Sequence, residues 1–253
     1  MRIPFRRRRK YRQISALLPM SASGLAVELR GKSIIEGVDL KLRRGEIVAL
    51  VGHNGAGKSF LLKTLHGLQK PSSGKVKWAG APVREIWRHQ ALILQRPALL
   101  RRSVASNIDL ALRVRGVRRL DRMRRVTEGL RVAKLIGYAR RRALRLSIGE
   151  QQRVAFAQAW AIYPEALFLD EVTSALDPSS KAIIEDLIER LAKRGVGIVM
   201  ASQDMEQVRR LASRVCLMKG GRLVADMSKT DFFAQGTSSE VTAFLANQSP
   251  NQH

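Results

Sequence analysis

Eight consecutive residues, Gly52-His53-Asn54-Gly55-Ala56-Gly57-Lys58-Ser59, fit the pattern G-x-x-x-x-G-K-[ST]. Each residue type has a chemical reason to be there. Glycines let the backbone curl until successive N–H groups point at one centre, which suits the β- and γ-phosphates of a nucleotide. Lys58 neutralises those oxygens, and Ser59 offers a hydroxyl to Mg²⁺. Such a loop needs a strand behind it and a helix in front, whose N-terminus adds positive partial charge. Both are present, as the apolar run Ile47–Val51 and the segment Leu61-Leu62-Lys63-Thr64-Leu65. Gly52, Asn54, Gly55, Ala56, Gly57, Lys58, Ser59 and the following Phe60 are therefore the expected nucleotide contacts.

The rest of the chain must position this loop. With 253 residues, 45% of them hydrophobic, it can bury a substantial core. Cys216 has no partner for an internal disulfide, and His53, His66, His89 and His253 show no metal-ligand spacing, which fits a reducing compartment. No stretch approaches the ~18 apolar residues of a membrane span, so a membrane role must come through a partner or the surface. The net charge of +25 is unevenly spread. Residues 1–19 hold seven basic side chains and no acid, and residues 96–145 hold sixteen basic against three acidic. Pro19 and the serines cut short the apolar run Ile14 to Leu18, so the N-terminus reads as a basic arm, or as an extension upstream of a true start at Met20, rather than an export signal.

Short, partly alternating segments from Leu25 to Val51, punctuated by Gly31, Gly37 and Gly45, and a strand pair after Pro71-Ser72-Ser73-Gly74, predict an antiparallel β layer around the loop. Ala91-Leu92-Ile93-Leu94 is a buried-strand run closed by Gln95, and residues 99–145 turn Leu/Arg-rich at helical spacing. Ser147 followed by Glu150 is a capping box opening a helix to about Ile162. Ala166-Leu167-Phe168-Leu169 ends in Asp170 and Glu171; a helix from about Ser179, a strand from Val196 to Ala201, and a hairpin turning at Gly220-Gly221 follow. The alternation predicts an α/β fold with a mainly parallel sheet covered on both faces.

The phosphate loop, Gln95, Leu146-Ser147-Ile148-Gly149-Glu150, Leu167 to Glu171 and Ser174-Ala175-Leu176-Asp177, in that order and spacing, resemble the nucleotide-binding subunit of an ATP-binding cassette (ABC) transporter. The likeness runs from about Gly24 to Leu245. It implies a P-loop ABC fold: a basic, disordered tail (1–20), an ATP-binding core (21–95 and 164–228), a helical subdomain (96–163) and a C-terminal tail (229–253). ATP and Mg²⁺ are the implied cofactors. Asp170, Ser59 and Gln95 would serve the metal, Gln95 would also contact the water as a catalytic residue and lie at the permease contact, Glu171 would polarise the attacking water, and Gln203 would face the γ-phosphate. The Ser147, Gly149 and Glu150 helix end would press on ATP held by a second cassette, so that two chains sandwich two nucleotides, with Asp177 in the loop crossing the seam. A homodimer or heterodimer, separate transmembrane permease subunits and, indirectly, a substrate-binding protein are the implied partners. The implied place is the cytoplasmic face of the inner membrane.

The chain departs from the family pattern at several positions. Gln203 stands where a histidine is usual, Ile148 replaces a glycine, Glu150 the commoner glutamine, Val172 a proline and Phe60 a threonine, while Leu29 or Arg30 occupies the place of the adenine-stacking aromatic. A working but slow ATPase is the expectation. Gln95 to Val104, Asn107, Arg113 to Gly116, Arg209 to Ala212, Asp231 to Phe233 and Ala243 to Leu245 look most like cassettes of tungstate, molybdate and phosphate importers, so a small oxyanion is the expected cargo. The basic insert is expected to lie near anionic lipid. Two alternatives stay open: a soluble ABC ATPase acting on nucleic acid or ribosomes, against which stand the single cassette and the lack of an aromatic-rich strand, and a degenerate half of a heterodimer.

Overall fold

All five side chains of the strand Ile47–Val51 are buried, as a continuous apolar run demands when a parallel sheet is covered on both faces. In the computed structural model, which describes residues 17–79, 86–234 and 238–247, this strand, β3, is central to a six-stranded sheet. Across that sheet run β5 (Gln90–Ile93), β6 (Ala166–Asp170), β7 (Gly197–Ala201), β3, β8 (Arg214–Lys219) and β9 (Arg222–Ser228). All pairings are parallel except the β8–β9 hairpin. A second, antiparallel sheet holds β2 (Lys32–Leu42), β1 (Met20–Leu29) and β4 (Ser73–Trp78) in that order. Thus the antiparallel layer ends at Leu42, and Ile47–Val51 belongs to the parallel sheet. Of the strand pair expected after Gly74, β4 is one; the region of the second falls partly on residues 80–85, outside the described residues.

Two hydrophobic clusters flank the parallel sheet. One lies between it and the antiparallel layer, and includes Leu50, Leu61, Leu65 and Phe168; α1 (Lys58–His66) supplies the two leucines and ends at Gly67 in the left-handed conformation. The other face is covered by helices. α5 (Pro178–Lys193) buries Ile184, Leu187, Ile188 and Leu191, a spacing of i, i+3, i+4, i+7, and each such side chain contributes roughly 1.5–3 kcal/mol of burial. Asp177 caps its start and Pro178 occupies the first turn, where a missing N–H costs nothing. α4 (Ile148–Ile162) is buried over most of its length and anchors α2 (Val104–Val114) and α3 (Arg119–Val132), the expected Leu/Arg-rich helices.

α6 (Met205–Leu211) follows β7. Where the sequence suggested only a C-terminal tail, α7 (Lys229–Phe233) and α8 (Ser239–Ala246) put Phe232, Val241 and Phe244 into the core. At the other end Leu17 and Leu18 are buried, and residues 1–16 of the expected arm lie outside the described residues. Among the described residues no helix is long and apolar enough to cross a membrane.

Candidate nucleotide site

β3 delivers the chain to Gly52, whose φ is 144° and where a Cβ would lie 2.2 Å from the Met218 carbonyl oxygen. Gly57, with φ 101°, is equally constrained: a Cβ would come within 2.9 Å of the Ile34 carbonyl oxygen. Only glycine fits a loop pinned this way between two sheets. Lys58 opens α1, is 5% exposed, and donates from Nζ to the carbonyl oxygens of Gly52 (2.7 Å) and His53 (3.0 Å). Burial pushes its ammonium pKa down, against the pull of the Glu171 and Asp170 charges. A buried ammonium held by its own loop's carbonyls can exchange them for the stronger phosphate acceptors.

Asp170, 8% exposed at the end of β6, accepts from Ser59 Oγ at 2.7 Å. A hydroxyl and a carboxylate from a helix start and a strand end are the hard-oxygen donors that Mg²⁺ takes. The residues present therefore fit a magnesium nucleotide, whose metal supplies charge neutralisation to the phosphates.

Glu171 has φ 48°, left-handed backbone that costs a non-glycine residue on the order of 1–2 kcal/mol. Its carboxylate accepts from Gln203 Nε2 at 2.6 Å, and the same amide donates to Asn54 Oδ1 at 2.9 Å. Gln203 therefore bridges the acid and the phosphate loop. Gln95 donates to Ser174 Oγ (3.1 Å), which donates to the Glu171 carbonyl oxygen (3.0 Å). The structure thus gathers Asn54, Lys58, Ser59, Gln95, Asp170, Glu171 and Gln203 around one centre. Phe60 instead has its ring beneath the Lys63 ammonium, 5.6 Å from the centroid.

The start of α4 forms the expected capping box: Ser147 Oγ accepts from the Glu150 N–H (3.2 Å) and Glu150 Oε2 from the Ser147 N–H (2.9 Å). That Ser147 bond, above all, holds the Glu150 carboxyl below the usual glutamate range. Gly149 is buried against α5, where a Cβ would lie 2.5 Å from Ser180 Oγ, whereas Ile148 is 58% exposed. Among the described residues no hydrogen bond links Ser147, Gly149 or Glu150 to the phosphate-loop group. Asp177 accepts from the Ser180 N–H at 2.9 Å, and the hydroxyls of Ser179 and then Ser180, above all, hold its carboxyl well below the usual range.

Sequence reasoning missed a supporting network. Gln207, 3% exposed on α6, donates to Thr173 Oγ1 (2.9 Å) and Glu185 Oε1 (3.1 Å) and accepts from Ser202 Oγ (2.9 Å). Asp204 caps α6 and pairs with Lys181 of α5. These bonds tie the segments on either side of Glu171 and Gln203 together beside an open cleft of about 400 Å³. The available signal was a glutamine next to Val208 on the buried face of a helix. At the loop itself, His53 packs edge-on against Phe244 of α8, 5.5 Å between centroids.

The family model described as ABC transporter matches residues 35–174, which span the loop, Gln95, the α4 start and the acid pair. The chain belongs to the ABC transporter family. This cassette is 37% identical over 226 residues, 85% of its length, to the methionine import ATP-binding protein MetN of Nocardia farcinica. It spans 68% of that relative's length and 61% of the length of the MetN of Bacillus subtilis, to which it is 36% identical. Among solved structures, an ATP-binding subunit of an ABC transporter superposes with a TM-score of 0.80 at 25% identity, covering 90% of the cassette and 99% of that chain. A dimeric ATP-binding cassette in a post-hydrolysis state with ADP and Pi superposes at 0.74, also 25% identical, covering 83% and 98%. The cassette is an ABC-type ATPase that uses ATP with Mg²⁺. The oxyanion expectation finds no support in the two MetN relatives, which are named methionine import ATP-binding proteins.

Proposed function

We propose that two copies of this cassette, or one copy and a sister cassette, clasp ATP between the Lys58 loop of one and the capped α4 end of the other, and so drive import through a separate permease. In this reading Lys58 and Ser59 hold the phosphates and metal with Asp170, Glu171 activates water, and Gln203 and Gln95 position it. The α4 start, which among the described residues makes no hydrogen bond to the phosphate-loop group, leaves room for a composite site, and the dimeric relative with ADP and Pi supports one. The permease contact is the cleft of about 330 Å³ between β5, α4 and the Pro97-Ala98 turn. Arg115 is the charged residue of its lining, since burial, with the Arg115 charge adding to it, pushes the His66 imidazole down to about 4 and leaves it neutral at pH 7. A subunit docked this way sits on the cytoplasmic face of the membrane.

For cargo, the single observation that carries the reading is the 37% identity over 226 residues to a methionine import ATP-binding protein. Methionine or an amino acid of its chemistry replaces the oxyanion. The reason the sequence misled is physical: a cassette does not touch its cargo, so its residues record the permease contact and not the transported molecule. Uptake of labelled methionine and of labelled molybdate or phosphate, in cells carrying the native gene or a Lys58→Ala allele, tests this. Methionine uptake alone should be lost; loss of an oxyanion instead would restore the earlier expectation.

A further inference from the structure

Trp87 is 39% exposed, with its ring beneath two guanidinium groups, Arg88 at 5.2 Å and Arg115 at 5.8 Å from the centroid. The end of α2 lies beside it, since a Cβ on Gly116 would be 3.8 Å from Arg88 Nη1. From this corner the chain passes through Arg118 into α3, leaving Val114 60%, Leu120 76% and Met123 62% exposed. Arg113, Arg118, Arg119 and Arg124 stand exposed around them. Leu120, Met123, Arg124, Thr127 and Arg131 form one stripe of α3, at i, i+3, i+4, i+7 and i+11. Acids do little to offset it: Asp109 is engaged by Arg122 at 2.7 Å, Glu128 is bonded to Trp160, Tyr163 and Arg194, and Asp121 sits in the first turn of α3.

We propose that the Trp87 corner and the α2–α3 elbow form a contact surface for an anionic lipid bilayer. Arginine alone would suit phosphates of lipid or of nucleic acid equally. Three bulky apolar side chains gain nothing from a sugar-phosphate backbone, but at a bilayer they enter the acyl boundary while the guanidinium heads stay among the headgroups. An exposed indole is the side chain most at home at that depth. The surface adjoins the Arg115 cleft, and it rests on the permease reading only for the direction it faces.

The test is cosedimentation of the full chain with vesicles of phosphatidylcholine alone or mixed with phosphatidylserine. Binding should require phosphatidylserine and weaken with salt. Arg118→Glu with Arg119→Glu, both exposed and neither a side-chain cap, should lower the partition coefficient at least tenfold, at about fivefold per arginine. Leu120→Ala with Met123→Ala should lower it severalfold while leaving its salt dependence unchanged. Parent-level ATP turnover in both pairs shows that they fold. Equal binding by parent and both pairs assigns the vesicle affinity to the basic arm and overturns the proposal, as does binding that ignores phosphatidylserine. Tighter binding to duplex DNA than to vesicles, lost in the charge pair and kept in the apolar pair, replaces the bilayer with nucleic acid. No permease is present in these assays, so their failure leaves the import reading to the uptake experiment.

Discussion

Gly149→Ala adds one carbon where the start of α4 meets the start of α5. That carbon would lie 2.5 Å from Ser180 Oγ, 3.0 Å from Ser180 Cβ and 3.5 Å from Asp177 Oδ2. Favourable contacts between heavy atoms begin near 3.5 Å, so the two helix starts must part by roughly 0.5–1 Å. Overpacking of this kind costs about 1–3 kcal/mol, and alanine returns about 0.5–1 kcal/mol as the better helix former. Urea unfolding should therefore show a net loss of about 1 kcal/mol. A displacement approaching 1 Å in a positioned site can cost about 10²-fold in rate, so ATP turnover should fall about ten- to a hundredfold, far more than the unfolded fraction explains. Ser180→Gly removes both close contacts, and the Ser180 N–H keeps its 2.9 Å bond to Asp177 without a side chain. The double variant should recover most of the lost turnover. Parent activity in Gly149→Ala, or no recovery in the pair, refutes the reasoning.

Gln203→His places a cation-capable ring where a neutral amide now bridges Asn54 and Glu171, and phosphate release by the assembled transporter should rise at least tenfold, one positioned electrostatic contact being worth about 10²- to 10³-fold; an unchanged or slower rate speaks against a positioning role. Asp170→Asn removes the charge from the Ser59 pair, so the Mg²⁺ concentration for half-maximal turnover should climb tenfold or more while nucleotide binding in EDTA stays put. Burial opposes ionisation of Glu128, yet bonds from Tyr163, Trp160 and Arg194 outweigh it and hold its carboxyl below the ordinary 4.5. A depressed carboxyl stabilises the fold above its unfolded value and loses that contribution as pH falls, so Glu128→Gln should be less stable than the parent to urea at pH 7, with the gap narrowing below about pH 4.5.

The parts of the site that lie within a few residues of one another were legible. The phosphate loop declares itself through glycines that no other residue could replace, and the α4 start through a capping box that Ser147 and Glu150 complete across three positions. Continuous apolar runs gave the parallel strands for the same local reason. Bonds between distant segments were not legible. Gln207 meets Thr173 34 positions away, and Trp160 meets Glu128 across two helices, so neither pairing leaves a spacing to find. Phe244 could be placed only once the fold had brought α8 against His53. Cargo was illegible for a different reason: in the proposed arrangement it passes through the permease, and the cassette's residues record the permease contact instead.

The composite site is tested most directly by Glu171→Gln, which keeps a carbonyl oxygen to accept the Gln203 amide while removing the charge that would activate water. Light scattering of this variant, alone and with a sister cassette where one exists, should show a monomer without nucleotide and a stable dimer once ATP and Mg²⁺ are added. A species that stays monomeric at every ATP concentration, while still binding the nucleotide, contradicts the account.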